Sequence, residues 1–192
     1  MPTPYLAASL VRLRNEVNFR WPHRDKSSDG WIGDPAHMLR TSDHNPDEKG
    51  CVHALDVDST SVNVDLIRKQ AVKHPATAYV ISNKVIYSRT NGFVPKPYTG
   101  VDPHTSHIHV SISHTAAAEA ETHRWLPVWP VLRVGSTGSY VKIVQQVVGV
   151  TVDGNYGPVT EAAVKEFQGQ HGLPPDGVVG TATWKAVFDA YA

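Results

Sequence analysis

The sequence predicts an α+β domain, a small antiparallel sheet with helices, followed by a small all-α three-helix bundle. Three observations lead there. "ATAYVISNKVIYS" (76–88) and "HIHVSIS" (107–113) alternate apolar and polar residues and are rich in β-branched side chains, the signature of half-buried strands. Near Trp125, Pro127, Trp129 and Pro130 the text changes from strand-like to Ala/Glu-rich to Pro-broken, dividing the chain. Beyond that division a turn-plus-helix unit is written twice.

The chain has 192 residues, 41% of them hydrophobic, an ordinary content for a soluble globular protein. Lys and Arg number 18, as do Asp and Glu, and neither half is strongly charged. Nucleic acid is not an expected partner, since phosphate binding needs a concentrated basic footprint. No apolar run approaches the roughly 18 residues of a membrane span, so membrane insertion is not expected. One cysteine, Cys51, rules out an internal disulfide framework and a Cys-rich zinc module, and reads as a small buried hydrophobe. Any metal would have to use the 11 histidines and the carboxylates. With no heptad pattern or apolar stripe, a monomer is expected.

Taken in order, Leu6, Leu10, Leu13 and Val17 follow helical spacing and predict an amphipathic first helix. Arg12 and Arg14 interrupt its apolar stretch, making it a poor signal peptide and predicting synthesis in the cytoplasm. Next, "TSDHNPDEKGCVHALDVD" (41–58) offers His44, His53, Asp56 and Asp58; on a strand Asp56 and Asp58 share one face and Leu55 and Val57 the other. His53 is an alternative metal-ligating candidate to His44, although on a regular strand its odd offset turns it away from Asp56, while Asp43 and Asp47 read as loop charges. Then "DPHTSHIHVSI" (102–112) supplies His104, His107 and His109, the last two on one strand face. Polar faces on adjacent strands make a metal platform, and zinc accepts imidazole nitrogen and carboxylate oxygen while keeping one position for water. His23, His74, His114, His123 and His171 read as ordinary surface or core residues.

A linker is placed at residues 116–131. After it, "SYVKIVQQVVG" carries Val141, Val144, Gln145 and Val148 on one side of a helix. "DGNYGPVTEAAVKEF" from Asp153 and "DGVVGTATWKAVF" from Asp176 repeat D-G-x-x-G-x-x-T, with glycine turns and with Thr160 or Thr183 near a helix start, where a hydroxyl can cap free amides. Leu132, Val164, Phe167, Leu173 and Trp184 read as the core of the bundle. Through its turn glycines, "VKEFQ" and "DGVVGTATW", the region 132–190 resembles the bacterial peptidoglycan-binding domain family. That resemblance implies that this part holds the cell wall.

The first domain, through "SDHNP…GCVHALDVD" and "PHTSHIHV", resembles the zinc peptidases of the VanY and D-alanyl-D-alanine carboxypeptidase group, whose clan includes murein endopeptidases. The resemblance implies a zinc peptidase domain over 1–115, a linker over 116–131 and a peptidoglycan-binding domain over 132–192. Carried over residue by residue, it implies His44, Asp56 and His109 as zinc ligands, with water in the fourth place. Two departures stand out: the 11 residues between His44 and Asp56 exceed the family's usual gap, and Ser106 occupies the place where many relatives carry a carboxylate base. Some murein endopeptidases instead read H-x-x-H-x-H, the order of His104, His107 and His109. This makes His107 the first candidate for general base, with His104 as transition-state donor or supporting partner. Asp58 either orients a ligand histidine or is a solvated acid. Arg40 is a candidate to grip a substrate carboxylate and Tyr98 to hydrogen-bond an oxyanion; Trp31 and His37 are candidates to line the cleft.

A zinc peptidase joined to a wall-binding bundle without an export signal resembles a bacteriophage endolysin. The expected reaction is hydrolysis of an L-alanyl-D-glutamate or D-alanyl bond in peptidoglycan, after holin-dependent release from the host cytoplasm. Tethering to an insoluble substrate raises effective concentration without tight active-site binding. The alternatives are a host wall-remodelling D,D-carboxypeptidase and a non-catalytic wall-binding protein with a degenerate peptidase fold.

Overall fold

The computed structural model describes residues 2–33 and 41–190. It divides into two compact units, Met1–Pro127 and Val128–Ala192.

In the first unit, β1 (Tyr5–Leu6) pairs in parallel with β2 (Cys51–Val52), and α1 (Ala8–Arg20) follows β1 directly. Leu10, Leu13 and Val17 form the buried face of α1, as their spacing predicts. Leu6 does not belong to the helix; it is buried from β1, opposite Val52.

The main sheet holds β3 (Ala54–Asp58), β4 (Thr77–Ser82), β5 (Val85–Ser88), β6 (Lys96–Pro97) and β7 (His107–Ile112) in the order β3-β7-β4-β5-β6, every neighbour antiparallel. The last of these strands thus inserts between β3 and β4, and all six of its residues are buried. Period-two alternation sorts its side chains: Ile108, Val110 and Ile112 join Leu55, Val57, Leu10 and Leu13 in one apolar cluster, while His107, His109 and Ser111 take the opposite face. The helix α2 (Val64–Ala71) packs on β4 and β7 through Ile67 and Ala71, and Asn63 Oδ1 caps it by accepting the Leu66 amide at 2.8 Å.

The segment expected to be a linker, 116–131, is folded. A four-residue helix, α3 (Ala116–Glu119), is capped by Thr115, and Trp125 and Leu126 are buried in the first core. Trp125 Nε1 donates to the Ser9 carbonyl (2.7 Å), Glu16 accepts the Trp125 and Leu126 amides, and Arg20 reaches the Pro127 carbonyl (2.8 Å). Proline ends helices, but it does not make the neighbouring chain exposed; two large apolar side chains contribute more by burial than a free linker gains in entropy. Trp129 packs on the second core and stacks on Trp184 at 5.0 Å.

The second unit contains α4 (Ser139–Val147), α5 (Pro158–Gln170) and α6 (Thr181–Ala190) around Leu132, Val141, Val144, Tyr156, Val164, Phe167, Val179, Trp184 and Val187. Leu173, expected in this core, is only half-buried. The sequence echo is an echo of hydrogen bonds. Gln145 Nε2 donates to Asp153 Oδ1 (2.7 Å), the Asn155 carbonyl (3.0 Å) and Thr160 Oγ1 (3.1 Å), and its Oε1 accepts the Gly154 amide (2.8 Å). Gln168 does the same with Asp176 (2.8 Å), Val178 (3.0 Å), Thr183 (3.1 Å) and Gly177 (2.8 Å). Both Asp-Gly turns need a left-handed glycine, φ 80° at Gly154 and 73° at Gly177. Thr160 and Thr183 therefore receive the buried glutamine rather than capping a helix. Gln168→Ala should strand the Gly177 amide and open a void, costing roughly 2–4 kcal/mol. The check is whether one unfolding transition of the full chain drops while the other stays in place.

Candidate metal centre

The strand pairing sets Asp56 directly across from His109, and Asp58 across from His107. Cross-strand partners stand about 5 Å apart at Cβ, so side chains from one face meet at their tips. His44 arrives from the preceding loop, whose turn is closed by Asp47: its Oδ1 accepts the Lys49 and Cys51 amides at 2.9 and 2.8 Å. This acidic stretch is thus a turn carrying His44 to the mouth of β3, which absorbs the long spacing before Asp56.

There His44 Nε2 lies 3.1 Å from Asp56 Oδ2 and 3.2 Å from His109 Nδ1, and His109 Nδ1 lies 2.9 Å from Asp56 Oδ1. Ligands about 2.0–2.1 Å from a tetrahedral ion stand about 3.3 Å apart, so the three atoms are already near the corners of a zinc site. The chemistry of the donors fits as well. Two imidazole nitrogens and a carboxylate brought together with little exposure are a donor set that zinc accepts.

Each donor is anchored from behind. His109 Nε2 meets Ser111 Oγ at 2.9 Å, and Tyr79 stacks on its ring at 5.4 Å. The His44 ring also hydrogen-bonds the Trp31 backbone, and its carbonyl accepts the Gly33 amide at 2.9 Å. Asp56 is fixed by a backbone bridge to Gly30 on its free edge. Such supports hold ligand rings in their rotamers and tautomers. Burial pushes the Asp56 carboxyl up, but hydrogen bonds and charge from His109 and His44 outweigh it and hold the group well below the ordinary carboxylate range. Burial disfavours the His44 cation, yet the same Asp56 more than offsets this and raises the ring's pKa.

These residues form the floor of an open cleft of about 270 Å³, with Thr41, Ser42, Tyr79, Tyr98, Val101 and Asp102 among its walls. His107 Nε2 faces it, 3.8 Å from Asp56 Oδ1, and Ser106 Oγ meets the other ring nitrogen at 3.2 Å. His104 lies edge-on to His107 (4.8 Å) and to Tyr98 (5.2 Å). Burial lowers the His104 pKa, with the neighbouring His109 adding to it, which disfavours the charged ring.

Among the other expected residues, His53 is fully buried away from the centre, meeting Glu119 at 3.1 Å and stacking on His114 at 3.9 Å. Asp58 neither orients a ligand histidine nor faces solvent. Its carboxylate accepts the amides of Ser28 (2.9 Å) and Thr60 (2.7 Å), which outweigh burial and bring its pKa down to about 2. Cys51 is wholly buried, and burial raises its pKa, as suits an inert thiol. Trp31 packs on the first core. Arg40 and His37 lie outside the described residues. Asp102 was missed: it stands two residues before His104, and "D-P-H" beside a histidine-rich strand was the available signal.

Comparison with known proteins adds the class of the second unit. Residues 138–187 match the family model described as putative peptidoglycan binding domain. Among curated proteins, an uncharacterized protein in the bpoA1 3'region of Kitasatospora aureofaciens is 44% identical over 62 residues, 29% of this chain and 52% of that protein. The zinc D-Ala-D-Ala carboxypeptidase of Streptomyces albus G is 38% identical over 65 residues, 30% of this chain and 26% of the carboxypeptidase. The chain thus spans about half of the first of these relatives and about a quarter of the second. Among solved structures, a fused Zn-dependent amidase/peptidase/peptidoglycan-binding protein from Clostridium acetobutylicum is 36% identical, covering 30% of this chain and 28% of the other, with a TM-score of 0.30. A peptidoglycan-binding protein from Clostridioides difficile is 20% identical, covering 60% and 94%, with a TM-score of 0.32.

Proposed function

We propose that the protein is a zinc-dependent peptidase that cuts the peptide part of bacterial peptidoglycan and is held on the wall by its second unit. The observation that carries this reading is the convergence of His44, Asp56 and His109 within 2.9–3.2 Å in an open cleft, beside the imidazole of His107, whose Nε2 faces that cleft. The peptidoglycan-binding match at 138–187 supplies the substrate class.

His44, Asp56 and His109 would hold the zinc. Bound there, the ion supplies Lewis-acid polarisation of the scissile carbonyl and acidifies the attacking water. His107 would take a proton from the attacking water at Nε2 and pass it to the departing amine, a general acid–base role that imidazoles commonly fill. His104, Tyr98 and Tyr79 line the cleft, and we assign the Tyr98 hydroxyl to hydrogen-bond the developing oxyanion. An endolysin-type role, with release from a phage-infected host cytoplasm through a membrane lesion, belongs to this reading.

The test is digestion of purified peptidoglycan with mass spectrometry of the products, with and without a chelator. Chelator-sensitive release of peptides with new amino termini is expected. Fragments cut after L-alanine would support an L-alanyl-D-glutamate endopeptidase, whereas loss of terminal D-alanine alone would favour the wall-remodelling carboxypeptidase. An intact wall after prolonged incubation with the zinc-loaded chain would end the enzymatic reading.

A further inference from the structure

We infer that Asp102, His104 and His107 form a second, weaker divalent-cation site on the solvent side of the first, whose filling by zinc takes His107 out of service and inhibits the enzyme. The inference rests on the assignment of His44, Asp56 and His109 to the hydrolytic zinc.

The three donors offer ligand atoms within 4.8 Å of one another. Asp102 stands between the two rings, Oδ1 4.0 Å from His104 Nδ1 and Oδ2 3.9 Å from His107 Nε2. None of these is a hydrogen bond. Ligand atoms about 2.1 Å from a tetrahedral ion stand about 3.4 Å apart, so these donors must draw together by somewhat over half an ångström to hold one. His104 Nδ1 is the independent sign of a missing partner. It is buried with no hydrogen-bond partner among the described residues, on a side chain only 9% exposed, and leaving such a nitrogen unsatisfied is costly.

The backbone holds that ring in place at a cost. His104 has φ 51°, a left-handed conformation that a non-glycine residue keeps only when its surroundings enforce it. The enforcement is visible. Asp102 Oδ1 accepts the His104 amide at 2.8 Å, and the amides of Asn83 and Lys84 donate to the carbonyls of His104 and Pro103 at 2.8 and 2.9 Å. The loop is clamped to the β4–β5 turn so that the ring faces His107. Two imidazoles and one carboxylate select zinc over magnesium or calcium, which prefer all-oxygen sites.

The same distances rank the two sites. Donors at 2.9–3.2 Å need little movement to close on an ion, while donors at 3.9–4.0 Å must close further, and Asp102 is half-exposed. The second site therefore fills later. A cation on His107 Nε2 occupies the lone pair that accepts the water's proton, so its binding removes general-base assistance, worth about 10²- to 10⁴-fold.

The experiment titrates zinc into the dialysed full-length chain against a chromophoric chelator, counting bound equivalents, with hydrolysis of a soluble muropeptide followed in parallel. Two classes are expected, one tight and one at least about ten-fold weaker, with activity rising over the first and falling on the order of 10²-fold over the second. Asp102→Asn should lose the weak class and the inhibition by excess zinc, and His104→Gln should lose the weak class, each keeping the tight class. His44→Ala should lose the tight class and keep the weak one. A single class abolished in H44A and untouched in D102N and H104Q overturns the second site and leaves the first standing. A single class abolished in D102N and untouched in H44A overturns the assignment of the first.

Discussion

Asp56→Ala should abolish the tight zinc equivalent and lower turnover of a soluble muropeptide on the order of 10³-fold or more, since a catalytic metal supplies several kcal/mol of charge stabilisation in the transition state. The loss follows from the position of the residue. Among the described residues Asp56 is the only carboxylate within 2.9–3.2 Å of both ring nitrogens, and its two oxygens each serve one of them. Without it His44 and His109 retain their supports behind, from Trp31 and from Ser111, but lose the anion that balances the ion's charge. The readout separate from activity is thermal. A ligand present at about 1,000 times its dissociation constant stabilises the folded chain by about 4 kcal/mol, so zinc should raise the unfolding temperature of the first unit clearly more in the parent than in Asp56→Ala, which keeps only the weaker site. Ser111→Ala grades the effect: removing the group behind His109 should weaken zinc affinity about 10- to 100-fold without abolishing it. Equal zinc content in Asp56→Ala and the parent would remove the metal centre from consideration.

How much of this was readable follows from what period-two alternation encodes. It assigned Asp56 to the face opposite Leu55 and Val57, and His107 and His109 to one shared face, because a strand has only two sides. It could not say that β7 inserts between β3 and β4, since pairing order depends on long-range packing. The contact between Asp56 and His109 is a product of that insertion, and the family resemblance was what tied them together beforehand. Asp102 escaped because a lone exposed acid in a Pro-containing loop has no period to betray it. In the second unit the Asp-Gly turns were legible as turns, but the glutamines that tie them were not. Yet Gln145 precedes Asp153 by the same interval as Gln168 precedes Asp176, and that shared offset was the available signal. Trp125 and Leu126 were misread because tryptophan and proline in succession look like a break, whereas the ends of α1 offered Ser9 and Glu16 as partners for that stretch.

His107→Ala separates catalysis from metal binding. At one equivalent of zinc the variant should keep its tight ion and lose about 10²- to 10⁴-fold in kcat, the range of general acid–base assistance, with KM little changed. The argument is positional. His107 shares its strand face with His109 and is paired across the ladder with Asp58, so its ring projects into the cleft one step along the strand from the metal centre. Its Nε2 stands 3.8 Å from Asp56 Oδ1, too far for a hydrogen bond and close enough to reach a water lying between the centre and the substrate. His104, held by its clamped loop on the far side of His107, is the competing base. The two are distinguished by their pH profiles: loss of the true base flattens the limb of kcat against pH that reports its ionisation, whereas loss of a neighbour shifts that limb without removing it. If His104→Ala flattens the limb and His107→Ala only shifts it, the roles are exchanged. If His107→Ala instead releases the tight zinc, the third ligand of the first centre has been misassigned.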